Sequence, residues 1–164
     1  MDKIIEELPV KAKEKWLENK KYFAKLKSRQ RKRLDIMMKE IHDEEFRHTD
    51  CLTCANCCKT TSPIFTEKDI SRISKHLKMK EGRFIEQYLQ RDDDDFMVLK
   101  SAPCTFLDHD NTCFIYDVRP KACSEYPHTN RKKFIQLTDL TLKNTEICPA
   151  VFNMVETLKA KLPL

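Results

Sequence analysis

Apolar residues in the first third of the chain recur at helical rather than strand spacing. Trp16, Phe23, Leu26, Leu34, Met37 and Ile41 follow a 3.6-residue period, and neither Gly nor Pro interrupts residues 10–50. The pattern predicts one long amphipathic helix, broken at most once. Beyond it the period changes in short pieces. In FTEKDISRISKHL, Ile70, Ile73 and Leu77 stand at i, i+3 and i+7, and Thr66 is placed to cap with Asp69 three residues on. EGRFIEQYL sets Phe84, Ile85, Tyr88 and Leu89 on one helical face. FMVLK reads as a short strand. SAPCTFLDHDNTCFIY has apolar pieces on both sides of a polar turn at 108–111, which predicts a hairpin. DVRPKACSEYP turns on Pro120 and Pro127, and FIQLTDLTL reads as a further strand. CPAVFNMVETLKAKL is a helix with Pro149 at its first position and Val151, Val155, Leu158 and Leu162 as its buried stripe. The expected fold class is α+β and helix-dominated: a long N-terminal helix (1–47), then a small domain (48–164) with a short antiparallel sheet.

Charge adds a question to the first helix. Residues 11–33 hold eleven basic and two acidic side chains, a local +9, whereas the whole chain of 164 residues carries only 31 − 26 = +5. Such a helix suits an acidic partner: RNA, DNA or anionic lipid. It equally suits a solvated face whose apolar stripe packs on the rest of the chain, and the aromatic residues follow core spacing. The acidic run at 92–95 reads as a polar loop, since consecutive carboxylates cannot all point inward. No apolar run approaches the roughly 18 residues of a membrane span. The opening MDKIIEELPVKAKEKW lacks the apolar centre of a secretory signal. The expectation is a cytoplasmic protein, where thiols stay reduced. One glycine, Gly82, excludes the glycine-rich phosphate loops of dinucleotide and P-loop sites.

Cysteine changes the picture most. There are eight: Cys51, Cys54, Cys57, Cys58, Cys104, Cys113, Cys123 and Cys148. A C-x2-C turn aims two sulfurs at one point, which is why zinc and iron sites reuse it. CLTCANCC overlaps two such turns at Cys54. Cys51, Cys54 and Cys57 read as a three-pronged ligand set, suited to an iron–sulfur cluster and less comfortably to a single tetrahedral ion. Adjacent residues point apart, so Cys58 belongs to a second site or is a free, reactive thiol. Eight thiols divide into two four-sulfur sites, and all eight are candidate metal ligands for zinc or iron. The Cys148–Pro149 pair matches the distant Cys-Pro that completes a ferredoxin cluster, although proline there also simply starts the last helix. His42 and His76 read as surface residues. His48, His109 and His128 lie near cysteines, but the thiols already fill two sites. Asp108 and Glu125 read as turn or supporting groups. No serine nucleophile with a paired base is visible.

CLTCANCC, PCTFLDHDNTCFIYDVRPKACSEYP and Cys148 together resemble the YkgJ-type CxxCxxCC cysteine-cluster family, described as a zinc- or iron-chelating domain. The resemblance covers roughly residues 48–155 and includes all eight cysteines, Arg119–Pro120 and Tyr126–Pro127. Where the family usually has Gly before the paired cysteines, this chain has Asn56, which also tolerates a left-handed backbone. Thr105 and Ser124 stand where Pro and Arg are frequent. The family includes the cysteine-cluster region of flagellin lysine methylases, but nothing here looks like a methyl-donor pocket.

Three functional expectations follow. The first is a metalloprotein with two thiolate sites, zinc or iron with an iron–sulfur cluster as one form, serving electron transfer, metal handling or support of a modification reaction. Its partner would be another protein or an electron-transfer partner. The second is a non-catalytic zinc-stabilised module whose basic helix binds RNA or another acidic partner. The third is a redox sensor that uses Cys58. None of them assigns an enzymatic reaction.

Overall fold

The structure, a computed structural model, describes residues 2–29 and 32–164. In chain order it contains α1 (Asp2–Ser28), α2 (Leu34–Glu45), α3 (Cys51–Cys54), α4 (Asn56–Thr60), α5 (Glu67–His76), α6 (Glu81–Tyr88), β1 (Leu89–Arg91), β2 (Met97–Leu99), α7 (Lys121–Glu125), α8 (Thr138–Asn144) and α9 (Pro149–Lys161). Single 3-10 turns occupy Tyr116–Val118 and Phe134–Leu137. The helix-dominated α+β class is as expected, and the long amphipathic stretch is two helices, α1 and α2. No helix among the described residues is long and apolar enough to cross a membrane.

The chain forms two compact units. Unit 1 comprises Met1–Cys54 and Pro127–Leu164, and unit 2 comprises Ala55–Tyr126. The core of unit 1 interleaves three helices. Tyr22, Phe23 and Leu26 of α1 and Leu34, Met38 and Ile41 of α2 pack with Val151, Met154, Val155 and Leu158 of α9. Removing such side chains from water is worth about 1.5–3 kcal/mol each, the dominant favourable term for helices that have little intrinsic stability alone. Polar ties fix the arrangement. Asp35, in the first turn of α2, accepts from the amides of Lys133 and Phe134 at 2.7 and 2.9 Å. Tyr22 donates its hydroxyl to the carbonyl of Leu162 at 2.8 Å.

The segment FIQLTDLTL is not a strand. It forms a 3-10 turn followed by α8. Its threonines account for the difference. β-Branched residues favour strands because they crowd a helix and offer hydroxyls that compete with the backbone. Here Thr138, Thr141 and Thr145 donate those hydroxyls to the carbonyls of Ile135, Leu137 and Leu142 one turn earlier, at 3.1, 2.9 and 2.6 Å. All three are buried with their hydroxyls paired.

Unit 2 has a smaller core of Phe65, Ile70, Ile73, Phe84, Leu89, Leu99, Phe106 and Ile115. Phe84 stacks on Phe106 with ring centroids 6.3 Å apart, and Tyr88 tilts against Phe106 at 5.1 Å. The sheet is β1 paired antiparallel with β2, Leu89 opposite Leu99. Leu89 therefore opens a strand, although the pattern placed it on the helix that ends at Tyr88. The acidic run closes this hairpin: Asp92 accepts from the amides of Asp94 and Phe96 at 3.1 and 2.8 Å. α5 begins with the expected capping box between Thr66 and Asp69. The hairpin expected around 108–111 is reduced to one bridge, Leu107 with Cys113, and Asn111 takes a left-handed φ of 67°.

Candidate metal centre

CLTCANCCKT forms two short helical turns, α3 and α4, joined through Ala55. Ala55 has the left-handed backbone, φ 46° and ψ 18°, and Asn56 is the first residue of α4. The expectation that Asn56 would supply that conformation is corrected by one position. A left-handed alanine costs roughly 1–2 kcal/mol relative to the right-handed form. Ala55 is buried, so its methyl contributes packing that a glycine would lose.

None of the eight cysteines forms a disulfide. Five lie in unit 2. Cys57 and Cys58 sit in α4, and the Cys58 carbonyl accepts the Cys104 amide at 2.8 Å, tying the 104 loop to that turn. Phe106 donates its amide to the Cys104 sulfur at 3.4 Å. Cys113 occupies the Leu107 bridge, and its carbonyl accepts the Tyr116 amide at 3.1 Å. Cys123 lies in α7, with its amide on the Pro120 carbonyl at 2.9 Å.

Electrostatics shows which sulfurs share a space. Burial first, and then the charges of Cys58, Cys104 and Cys113, push the Cys123 thiol up to about 12. Cys104 is raised by burial and by Cys58 and Cys113; Cys113 is raised by burial and by Cys58. Cys58 goes the other way, to about 7, because the Cys57 thiol hydrogen-bonds to it and Lys59 adds positive charge, against the effect of burial. Cys58, Cys104, Cys113 and Cys123 thus lie within reach of one another's charge. In unit 1, Cys148 caps α9. Burial pushes its thiol up to about 11, the charges of Cys51 and Cys54 act in the same sense, and the amides of Val151 and Ala150 oppose them. Those amides face the sulfur without reaching capping hydrogen-bond geometry.

Among the described residues, no three His, Cys, Asp or Glu side chains stand close enough to hold a metal ion as placed. The two observations differ in range rather than in substance. Charges act over several ångströms, whereas a zinc–sulfur bond is about 2.3 Å. Cys58, Cys104, Cys113 and Cys123 feel one another's charge, and the Cys57 thiol hydrogen-bonds to Cys58. Their chemistry fits a metal: burial and neighbouring thiol charge raise the proton affinity of Cys104, Cys113 and Cys123, a repulsion that a dication removes.

Two residues that sequence reasoning used only for capping, or not at all, position Cys123. The Asp69 carboxylate is buried. It accepts from the Thr66 amide and hydroxyl at 2.9 and 2.6 Å, from Arg72 at 2.6 Å and from the Lys121 amide at 3.0 Å. Burial pushes its pKa up, but the bonds from Thr66, Arg72 and Lys121 outweigh that and hold it below the usual range. Arg72 also donates to the carbonyls of Val118 and Arg119 at 3.3 and 2.9 Å. Together they fasten α5 to the 118–121 turn, two residues before Cys123. The capping-box spacing announced Asp69; its reach across fifty residues leaves no mark in the sequence.

The histidines lie elsewhere. His42 is half-buried, not on the surface as expected; its Nδ1 meets the Thr129 hydroxyl at 2.8 Å, and burial lowers its pKa. His48 and His109 are exposed beside Glu44 and Asp108, at 3.3 and 2.5 Å. His76 is exposed, and His128 is a left-handed residue with φ 67°.

The model of the CxxCxxCC family, described as "Putative zinc- or iron-chelating domain", matches residues 50–149. The chain belongs to the CxxCxxCC family. That span contains every cysteine of both groups, and the family's description agrees with the coarse reading of a thiol domain that binds zinc or iron. No solved structure matches the chain.

Proposed function

We propose that Cys58, Cys104, Cys113 and Cys123 hold one zinc ion in a closed site that stabilises unit 2, and that Cys51, Cys54 and Cys148 serve metal handling. The observation that carries this reading is the convergence of three thiol charges on Cys123. Four protein ligands leave no open coordination position, so such a site serves folding rather than catalysis. The second set differs: Cys51 is exposed, which leaves a sulfur accessible for metal exchange or for contact with a partner. The C-x2-C of Cys51 and Cys54 with Cys148–Pro149 also suits an iron–sulfur cluster, with electron transfer as its role.

Anaerobic purification with metal analysis and visible spectroscopy tests the proposal. One zinc equivalent is expected to disappear in Cys123→Ser and in Cys58→Ser, and cobalt substitution is expected to give the absorption of a tetrahedral thiolate site. Unchanged metal content in both variants would overturn it. A brown chromophore lost in Cys148→Ser but kept in Cys123→Ser would assign an iron–sulfur cluster to the second set; a colourless zinc protein ends that version.

One observation favours an acidic partner as a second reading. Lys13, Lys20 and Lys21 on α1 are exposed and form no ion pair among the described residues, and Val10 and Leu17 beside them are also exposed. RNA binding through this face should fall steeply with salt. Absence of binding at low salt removes it.

A further inference from the structure

We propose that unit 2 carries an oxyanion cleft, suited to a phosphate group, over the turn that leads into Cys123. The cleft is open to solvent and has a volume of about 420 Å³. Four cations from separate stretches line it: Lys68 and Arg72 of α5, Arg119 of the turn and Lys121 of α7. Two carboxylates, Asp69 and Asp117, line it as well. These charges are not equally available. Asp69 is buried under four hydrogen bonds, and Arg72 is committed to it and to three carbonyls. They cancel each other and form the floor. Lys68, Arg119 and Lys121 remain against Asp117, an excess of two positive charges.

The remaining cations are fit to bind. Lys68 is exposed and forms no ion pair among the described residues. Arg119 lies face-on to the Tyr116 ring, 3.9 Å from its centroid, and donates to the Tyr116 carbonyl at 2.7 Å. That fixes the guanidinium in orientation while most of its five donors stay unspent. Lys121 has only Glu125 at 3.6 Å, a loose pair at the rim. A phosphate monoester near neutral pH carries about −1.5 to −2 charge on three oxygens. It matches one fixed fork and two flexible point charges better than a carboxylate with a single charge does. The cleft is larger than a bare phosphate requires, so the rest of the ligand extends toward its open side. This inference does not rest on the metal assignment.

The test is a titration of the full, metal-loaded chain with inorganic phosphate, glycerol phosphate and acetate at constant ionic strength, followed by side-chain and amide NMR shifts. Saturable shifts confined to residues 66–72 and 117–124 are expected, with acetate weaker by about ten-fold or more. Tighter binding of glycerol phosphate than of inorganic phosphate identifies an organic phosphate as the ligand, and equal binding identifies the free ion. Arg119→Gln should weaken binding by roughly ten-fold, with partial recovery in Arg119→Lys. Lys68→Gln is an exposed change that leaves the fold intact and should weaken binding without altering metal content. Absence of saturable shifts with either phosphate, or wild-type affinity in both Lys68→Gln and Arg119→Gln, would overturn the proposal.

Discussion

The two units reach order by different means. Unit 1 buries thirteen apolar residues in one cluster, most of them from the three helices α1, α2 and α9. The cluster of unit 2 holds eight, spread over short helices, two three-residue strands and long loops. Unit 2 also holds five of the eight thiols. A unit with so little apolar core gains from cross-links, and the proposed thiolate ligation would supply them without an oxidising environment. The contrast is between a unit secured by helical packing and one with a smaller apolar core and most of the thiols, which the proposed metal site would secure.

The sharpest way to break that comparison is to remove the metal. Structural zinc contributes about 10–16 kcal/mol of apparent binding free energy in small domains. Chelation or Cys123→Ser should therefore unfold unit 2 while the helical circular dichroism of unit 1 persists. Simultaneous loss of both units would show that one cooperative transition covers them. The reciprocal experiment is Leu158→Ala, which empties a fully buried position in unit 1. It should cost about 2–5 kcal/mol and leave the zinc equivalent of unit 2 unchanged.

Asp69→Asn sharpens the comparison inside unit 2. It removes charge from an acceptor that serves Thr66, Arg72 and Lys121, and a loss of about 1.5–3 kcal/mol is expected. Cobalt affinity should fall, because the turn before Cys123 is no longer held. The sign with pH follows from the lowered carboxyl. The Asp69 contribution is complete above the unfolded carboxyl value and is lost as pH falls through the lower folded value, so the variant should lose the wild-type's acid sensitivity in that range.

Proton release gives a readout specific to the thiols. Cys104, Cys113 and Cys123 are raised above their ordinary value and hold protons at neutral pH when no metal is bound. Each proton that a metal displaces makes apparent affinity fall about ten-fold per pH unit of acidification. Competition titrations should show affinity rising steeply with pH for wild type and less steeply for Cys123→Ser. The same titration separates ligand from sensor at Cys58: a ligand variant loses metal, whereas a sensor variant keeps its metal and loses only its oxidant response. The smallest expected effect is at Ala55→Gly, where relief of the left-handed backbone, about 1–2 kcal/mol, is largely offset by the lost methyl and by greater freedom of the unfolded chain.

Local chemistry was legible in advance where it is carried by neighbouring residues. The capping box at Thr66, the helix begun by Pro149 and the strand at 97–99 all appear where their residue types place them. The family was legible in CLTCANCC and the spacing after it. Three things were not. The threonines of α8 look like strand formers until their hydroxyls turn back on the preceding carbonyls. The left-handed position fell to Ala55 because tertiary placement overrides local preference, and asparagine then starts the next helix. That Cys58, Cys104, Cys113 and Cys123 act on one another's charge depends on where loops fold, which spacing along the chain does not encode. Adjacency suggested that Cys57 and Cys58 point apart, whereas the Cys57 thiol hydrogen-bonds to Cys58.

Unit 1 is discontinuous, and that has a consequence for vectorial synthesis. Its N-terminal helices emerge first, but Met154, Val155 and Leu158, which share their core, are made near the end of the chain. All the residues of unit 2 emerge in between. Translation proceeds at roughly 5–20 residues per second and domains fold as units. The inserted unit therefore has its thiols available to capture metal while the apolar stripe of α1 still waits uncovered. A metal taken up by unit 2 in this way would be bound before the chain buries its longest helix.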